Sequence, residues 1–182
     1  MRKHSRVGLS APIDARFLRA ILLAIICAAL ASANLSPGDK KFLSAAADSG
    51  LAQFALAKLA LEKSARPDLK MYAHQVMSDY QKANQDLQQL TEQKKLPFPS
   101  EVTIKDKAER ARLDLLSGDQ FDDVYITAAI NRGVEDMKTY RNESAEGMDS
   151  DVRQFASKNL PIVREHLAMI KAIRGKTGTS EK

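Results

Sequence analysis

Residues 67–90, PDLKMYAHQVMSDYQKANQDLQQL, place Leu69, Ala73, Val76, Tyr80, Ala83, Leu87 and Leu90 at alternating steps of four and three. That spacing gathers all seven on one stripe of an α-helix and matches no strand, which alternates every second residue. Pro67 suits a first helical turn, and the pattern carries on to about position 94. A helix this long with one apolar stripe must lay it against other helices.

Three more stretches read the same way. Ser36-Pro37-Gly38-Asp39 predicts a start with Ser36 as N-cap, Pro37 at the first position and Asp39 completing a weak capping box. This helix is expected to run to about position 64, with core positions Phe42, Ala46, Ser49, Gln53, Leu56 and Ala60. Leu96-Pro97-Phe98-Pro99-Ser100 must be extended, since its two prolines cannot lie inside a helix. A short amphipathic helix is expected over 104–116, closed by Ser117-Gly118. The third long helix, 119–146, offers Ile126, Ile130, Gly133, Met137 and Tyr140. The fourth opens with Asp149 or Ser150 as cap and offers Val152, Ala156, Asn159, Val163, His166, Ile170 and Ile173. It is expected to kink at Pro161 and to end at Gly175, leaving residues 176–182 as a disordered polar tail. The expected fold is all-α, a four-helix bundle with one additional short helix in the connection between helices two and three.

Ahead of the bundle, Ala20–Ala33 reads AILLAIICAALASA. Its fourteen residues are too few to span a bilayer of roughly 30 Å, which needs about 20. Arg2, Lys3, Arg6, Arg16 and Arg19 precede it, and Ala31-Ser32-Ala33 supplies the small-x-small pattern cut by signal peptidases. Residues 1–33 therefore read as a secretory signal cleaved after Ala33, and residues 34–175 as the bundle domain. Export to the periplasm or beyond the cell follows, with no stable membrane span once the signal is gone.

Cleavage changes the charge. The chain has 28 Lys and Arg against 23 Asp and Glu; five of the former and Asp14 leave with the signal. The remaining chain is nearly neutral, with both signs mixed, which argues against a nucleic-acid partner. Cys27, the one cysteine, leaves too, so disulfides and thiolate chemistry are excluded.

Gln53, Tyr80, Gly133 and His166 interrupt otherwise apolar seams near mid-height. Facing one another, they are expected to form a buried polar layer in which Tyr80, Gln53 and His166 satisfy each other's hydrogen bonds, while Gly133 makes room for the Tyr80 ring. The set is poor in metal ligands. A di-iron layer uses carboxylates and Glu-x-x-His pairs, whereas Met71 and Val163 stand three residues before His74 and His166. Asp122-Asp123 and Glu135-Asp136 read as surface or first-turn charges. His74 reads as a boundary residue, and the scattered methionines as gap-fillers rather than a copper site. With two histidines in the mature chain and no nucleophile elbow, Ser-His catalysis is not expected.

Phe42-Leu43-Ser44-Ala45-Ala46, Ala73-His74-Gln75-Val76-Met77-Ser78-Asp79-Tyr80, Leu116-Ser117-Gly118-Asp119-Gln120-Phe121-Asp122-Asp123-Val124-Tyr125, and Ala156-Ser157-Lys158-Asn159-Leu160-Pro161 with His166-Leu167 resemble the exported bacterial family DUF 4142. The resemblance covers about 41–173 and implies a ferritin-like bundle. The family pattern usually has Glu at the place of Gln53, Asp-His at Asp79-Tyr80, and His near Gly133, while His166 fits. Three of the four inward positions that suggest a metal in relatives are thus altered. The expectation is an exported, non-enzymatic binding or envelope-maintenance module with a degenerate ferritin-like centre and no cofactor, its partner an unidentified envelope or extracellular protein and self-association left open. The alternative is a metal-binding protein or oxidoreductase with a reduced site around His166.

Overall fold

The computed structural model describes residues 35–177. The expected signal segment 1–33 and the final residues 178–182 lie outside the described residues. Five helices and no strand are present among those described: α1 Pro37–Lys63, α2 Pro67–Gln93, α3 Ile104–Asp114, α4 Gly118–Glu146 and α5 Ser150–Thr177. None is long and apolar enough to cross a membrane.

The boundaries follow local chemistry. Ser36 Oγ accepts from the Asp39 N–H at 3.0 Å, and Asp39 returns the bond by accepting from the Ser36 N–H, a complete capping box. Thr103 caps α3 through the Asp106 N–H. Gly118 holds φ at 55°, a left-handed conformation that suits glycine and turns the chain from α3 into α4. Two boundaries differ from expectation. The short helix stops at Asp114 rather than 116. Gly175 does not end α5, which continues to Thr177. Glycine favours a helix end only when a following residue can close the turn, and here Lys176 and Thr177 remain helical. Pro161 lies within α5 without ending it, although it removes the N–H that would bond the Ser157 carbonyl.

Helix directions can be read from contacts between the ends. Asp39, at the start of α1, accepts from Met148 N–H beyond the end of α4. Lys63, at the end of α1, donates to the Leu116 carbonyl just before α4. These two helices are antiparallel. Lys94 pairs with Asp149 and Asp151, Asp86 with Lys158, and Asp79 with His166, so α2 and α5 are antiparallel as well. Short turns join α1 to α2 and α4 to α5. Consequently α2 and α4 run the same way, and the chain must return the length of the bundle between them. Residues 94–117, with α3 inside, form that crossover. Leu113 anchors α3 in the core, and Arg132 of α4 clamps it by hydrogen bonds to Asp106 (2.8 Å) and Glu109.

Each long helix packs on two neighbours, α1 on α2 and α4, α5 on α4 and α2. The core they enclose falls into two apolar clusters. One, toward the α1–α2 turn, includes Leu56, Leu69, Tyr72, Phe121, Tyr125, Ile126 and Ile170. The other, toward the α4–α5 turn, includes Phe42, Leu43, Leu87, Tyr140, Val152, Phe155 and Val163. Phe42 meets Tyr140 edge-on with ring centroids 5.2 Å apart, a favourable aromatic geometry. Polar side chains lie between the two clusters.

Candidate functional site

Steps of three and four from Ile126 lead through Ala129, Gly133, Asp136 and Tyr140 to Glu143, and all six are buried. Ile130 and Met137, the aliphatic alternatives one residue on, are only half-buried. The buried stripe of α4 thus carries a carboxylate at mid-height. Asp136 is 6% exposed, which corrects its reading as a surface charge. Asp122 is corrected likewise: it is buried, and its Oδ1 has no hydrogen-bond partner.

Asp136 organises the centre. Its Oδ2 accepts from Ser49 Oγ at 2.9 Å, Tyr80 Oη at 3.1 Å and Gln53 Nε2 at 3.5 Å. Burial pushes the Asp136 carboxyl above its ordinary range, with the bonds from Ser49, Gln53 and Tyr80 and the charge of Arg132 opposing that rise. Burial, and then the nearby Asp136, raise the Tyr80 hydroxyl well above its usual range, so it stays a donor. Tyr80 and Gln53 do meet at mid-height, but through Asp136 rather than through each other.

His166 stands beside this group and bonds elsewhere. Its Nε2 lies 2.8 Å from Asp79 Oδ2, while its ring sits 5.6 Å from that of Tyr80, centroid to centroid. His166 is 4% exposed, and its Nδ1 is buried without a partner. The void between His166, Asp79, Tyr80, Asn159 and Tyr140 is about 10 Å³, close to the least that holds one water.

Gly133 serves a different neighbour from the one expected. A Cβ there would lie 3.2 Å from Leu167 Cδ1 and 3.8 Å from Leu167 Cα. The glycine therefore lets α5 approach α4 at Leu167 and leaves no gap for the Tyr80 ring. Gly133→Ala is expected to be nearly neutral: helix propensity gains about 1 kcal/mol, and Leu167 shifts by a few tenths of an ångström. Gly133→Leu meets the α5 backbone and should destabilise by about 1–3 kcal/mol. Chemical denaturation of both variants checks the pair; equal stability for Leu and Ala would contradict this close approach.

The residues present do not fit a di-metal centre of the kind carboxylate-rich bundles carry. Ser49, Gln53 and Tyr80 all aim hydrogens at one carboxylate oxygen, the reverse of what a cation needs. Among the described residues no three of His, Cys, Asp or Glu are grouped to hold a metal. Sequence reasoning named Gln53, Tyr80, Gly133 and His166 and missed Asp136, Ser49 as a donor, and Asp79 as the partner of His166. The signal for Asp136 was its spacing, three residues beyond Gly133 and four before Tyr140.

Comparison with known proteins agrees with this architecture. A family model described as "Domain of unknown function (DUF4142)" matches residues 27–173. Among solved structures, a DUF305 fragment from Deinococcus radiodurans superposes with a TM-score of 0.69 at 13% identity, covering 78% of this chain and 98% of that one. A DUF305 protein from Streptomyces coelicolor, provisionally described as secreted, gives a TM-score of 0.66 at 10% identity, covering 78% and 92%. Comparison with curated proteins gives no match.

Proposed function

The chain belongs to the DUF4142 family, and from that premise we propose that it is an exported, non-catalytic module that acts by binding an envelope or extracellular protein through its surface. Its degenerate ferritin-like centre then serves the fold. The observation that supports this most is the arrangement at Asp136, where three donors converge on one buried oxygen. Beside it, the void of about 10 Å³ has room for no substrate larger than water. Export rests on the order of basic segment, apolar run and Ala-Ser-Ala in residues 1–33. In-cell crosslinking of the exported chain, followed by identification of the captured protein, tests the binding role.

One atom favours a second reading, a metal-binding protein with a reduced site. His166 Nδ1 is buried and unpartnered, while Asp79 holds Nε2, as carboxylates orient metal-binding histidines. Metal analysis of the purified protein separates the two. The first reading expects substoichiometric iron, manganese, copper and zinc, unchanged in His166→Ala, and a helical signal unaffected by chelator. One equivalent of metal, lost in His166→Ala, would establish the second reading instead.

A further inference from the structure

The crossover helix α3 packs with its apolar stripe outward. Steps of four, three and four place Ile104, Ala108, Ala111 and Leu115 on one stripe, and the Leu115 backbone still holds helical angles. A helix lying on a bundle ordinarily turns such a stripe toward the core. Here all four residues are exposed, Ile104 and Leu115 at 87% each. The inward face carries Asp106, Glu109 and Leu113 instead. Leu113 is fully buried, and the two acids bond Arg132 of α4.

The charges beside the stripe have one sign. The acids of this segment are engaged within the fold: Asp106 and Glu109 with Arg132, Asp114 with Lys63 at 3.2 Å, and Glu101 with Lys107. Lys105 and Arg112 stand a heptad apart along one edge of the stripe, and Arg110 lies beyond the other. All three are exposed, with no acidic partner among the described residues. The outer face of α3 is thus an apolar line about 16 Å long with basic groups beside it, fastened to the bundle from behind by ion pairs.

We propose that this face is a docking surface for an anionic phospholipid bilayer, with α3 lying in the plane of the membrane interface. Ile104 and Leu115 enter the boundary of the acyl region, the two alanines let the helix axis come close, and Lys105, Arg110 and Arg112 meet the headgroup phosphates. Charge and size select this occupant. A second copy of the chain would set the same basic groups against one another. A stable protein partner covers about 800 Å² on each side, whereas this stripe offers two large apolar side chains and two methyl groups. A lipid surface asks only for a narrow apolar line flanked by cations. The inference goes beyond the protein-binding role and stands whichever protein the module binds through another face.

The chain has no tryptophan, so Leu115→Trp places a single indole on this face. Met71→Trp places one at an exposed site on α2 as a control. Each protein, purified as cells export it, is mixed with vesicles of phosphatidylcholine alone or of phosphatidylcholine and phosphatidylglycerol in equal parts. Emission from the Leu115→Trp protein is expected to shift to shorter wavelength with the anionic vesicles, far less with the neutral ones, and to return on adding salt. Emission from the Met71→Trp protein should not move. Removing two cations, by Lys105→Gln with Arg112→Gln, should weaken vesicle binding by about tenfold or more. Ile104→Ser with Leu115→Ser should abolish it while leaving the helical signal intact, since both side chains are exposed. An unshifted Leu115→Trp spectrum with anionic vesicles, an equal shift from Met71→Trp, or binding indifferent to the two cations would overturn the proposal. So would a photocrosslinker at Ala108 that captures a protein or a second copy of this chain and no lipid.

Discussion

Asp136→Ala is expected to destabilise the bundle by about 3–5 kcal/mol, because it leaves the buried Gln53 and Tyr80 donors and the half-buried Ser49 hydroxyl without their shared acceptor. Ser49, Gln53 and Tyr80 all bond the same Asp136 oxygen. For a chain of this size the loss corresponds to roughly 10–15 °C in Tm. Asp136→Asn should behave differently. It keeps an acceptor oxygen of the same shape and removes a buried charge, so its cost should stay below about 1.5 kcal/mol. Burial raises the Asp136 carboxyl above its ordinary 3.8, so the favourable contribution of the protonated form is complete below 3.8 and falls away at higher pH. The Asn variant lacks that decline and should gain on the wild type between pH 4 and 7. Urea unfolding at both pH values reads this; an Ala variant as stable as Asn would show that the three donors are satisfied by water.

The second large effect is at Tyr80, whose ring joins the polar centre to the apolar cluster toward the α1–α2 turn. Tyr80→Ala removes a buried aromatic ring and should cost about 3–5 kcal/mol. Tyr80→Phe keeps the ring and deletes one hydrogen bond to Asp136, a loss of about 1 kcal/mol. The two positions touch, so their effects should not add. A double-mutant cycle of Tyr80→Phe with Asp136→Asn should return a coupling of about 0.5–3 kcal/mol. Additive losses would mean that the 3.1 Å contact contributes nothing to stability.

The fold was legible because it depends on repetition. Every residue of the α5 seam, from Val152 to Ile173, is buried as its spacing predicts, and the helix starts at Pro37, Pro67 and Ser150 follow from proline and capping chemistry. The candidate site was legible only in part, for a physical reason. At each step along α4 the spacing offers two adjacent positions, and preferring the more apolar one selects Ile130 and Met137 over Ala129 and Asp136. That preference holds where burial is decided by transfer from water alone. It fails where donors on neighbouring helices repay the burial of a carboxylate. Ser49, Gln53 and Tyr80 lie on α1 and α2, 56 to 87 residues from Asp136 in the chain, so no local reading of α4 contains them. Gly133 shows the same limit: its neighbour, Leu167, is fixed by how closely α4 and α5 approach.

The long crossover between α2 and α4 divides the chain into two helical hairpins, each closed by a short turn. Ser49, Gln53, Asp79 and Tyr80 belong to the first, Asp136 and His166 to the second, and every hydrogen bond of the centre runs from one to the other. Neither hairpin can assemble this group alone. Apolar stripes tolerate sliding by a helical turn, about 5.4 Å, because one aliphatic contact replaces another. A slide of that size would break the arrangement in which all three donors reach one Asp136 oxygen. The carboxylate thus acts as a registration mark: the hairpins gain full stability at one axial offset, and sliding is penalised at the step when they come together.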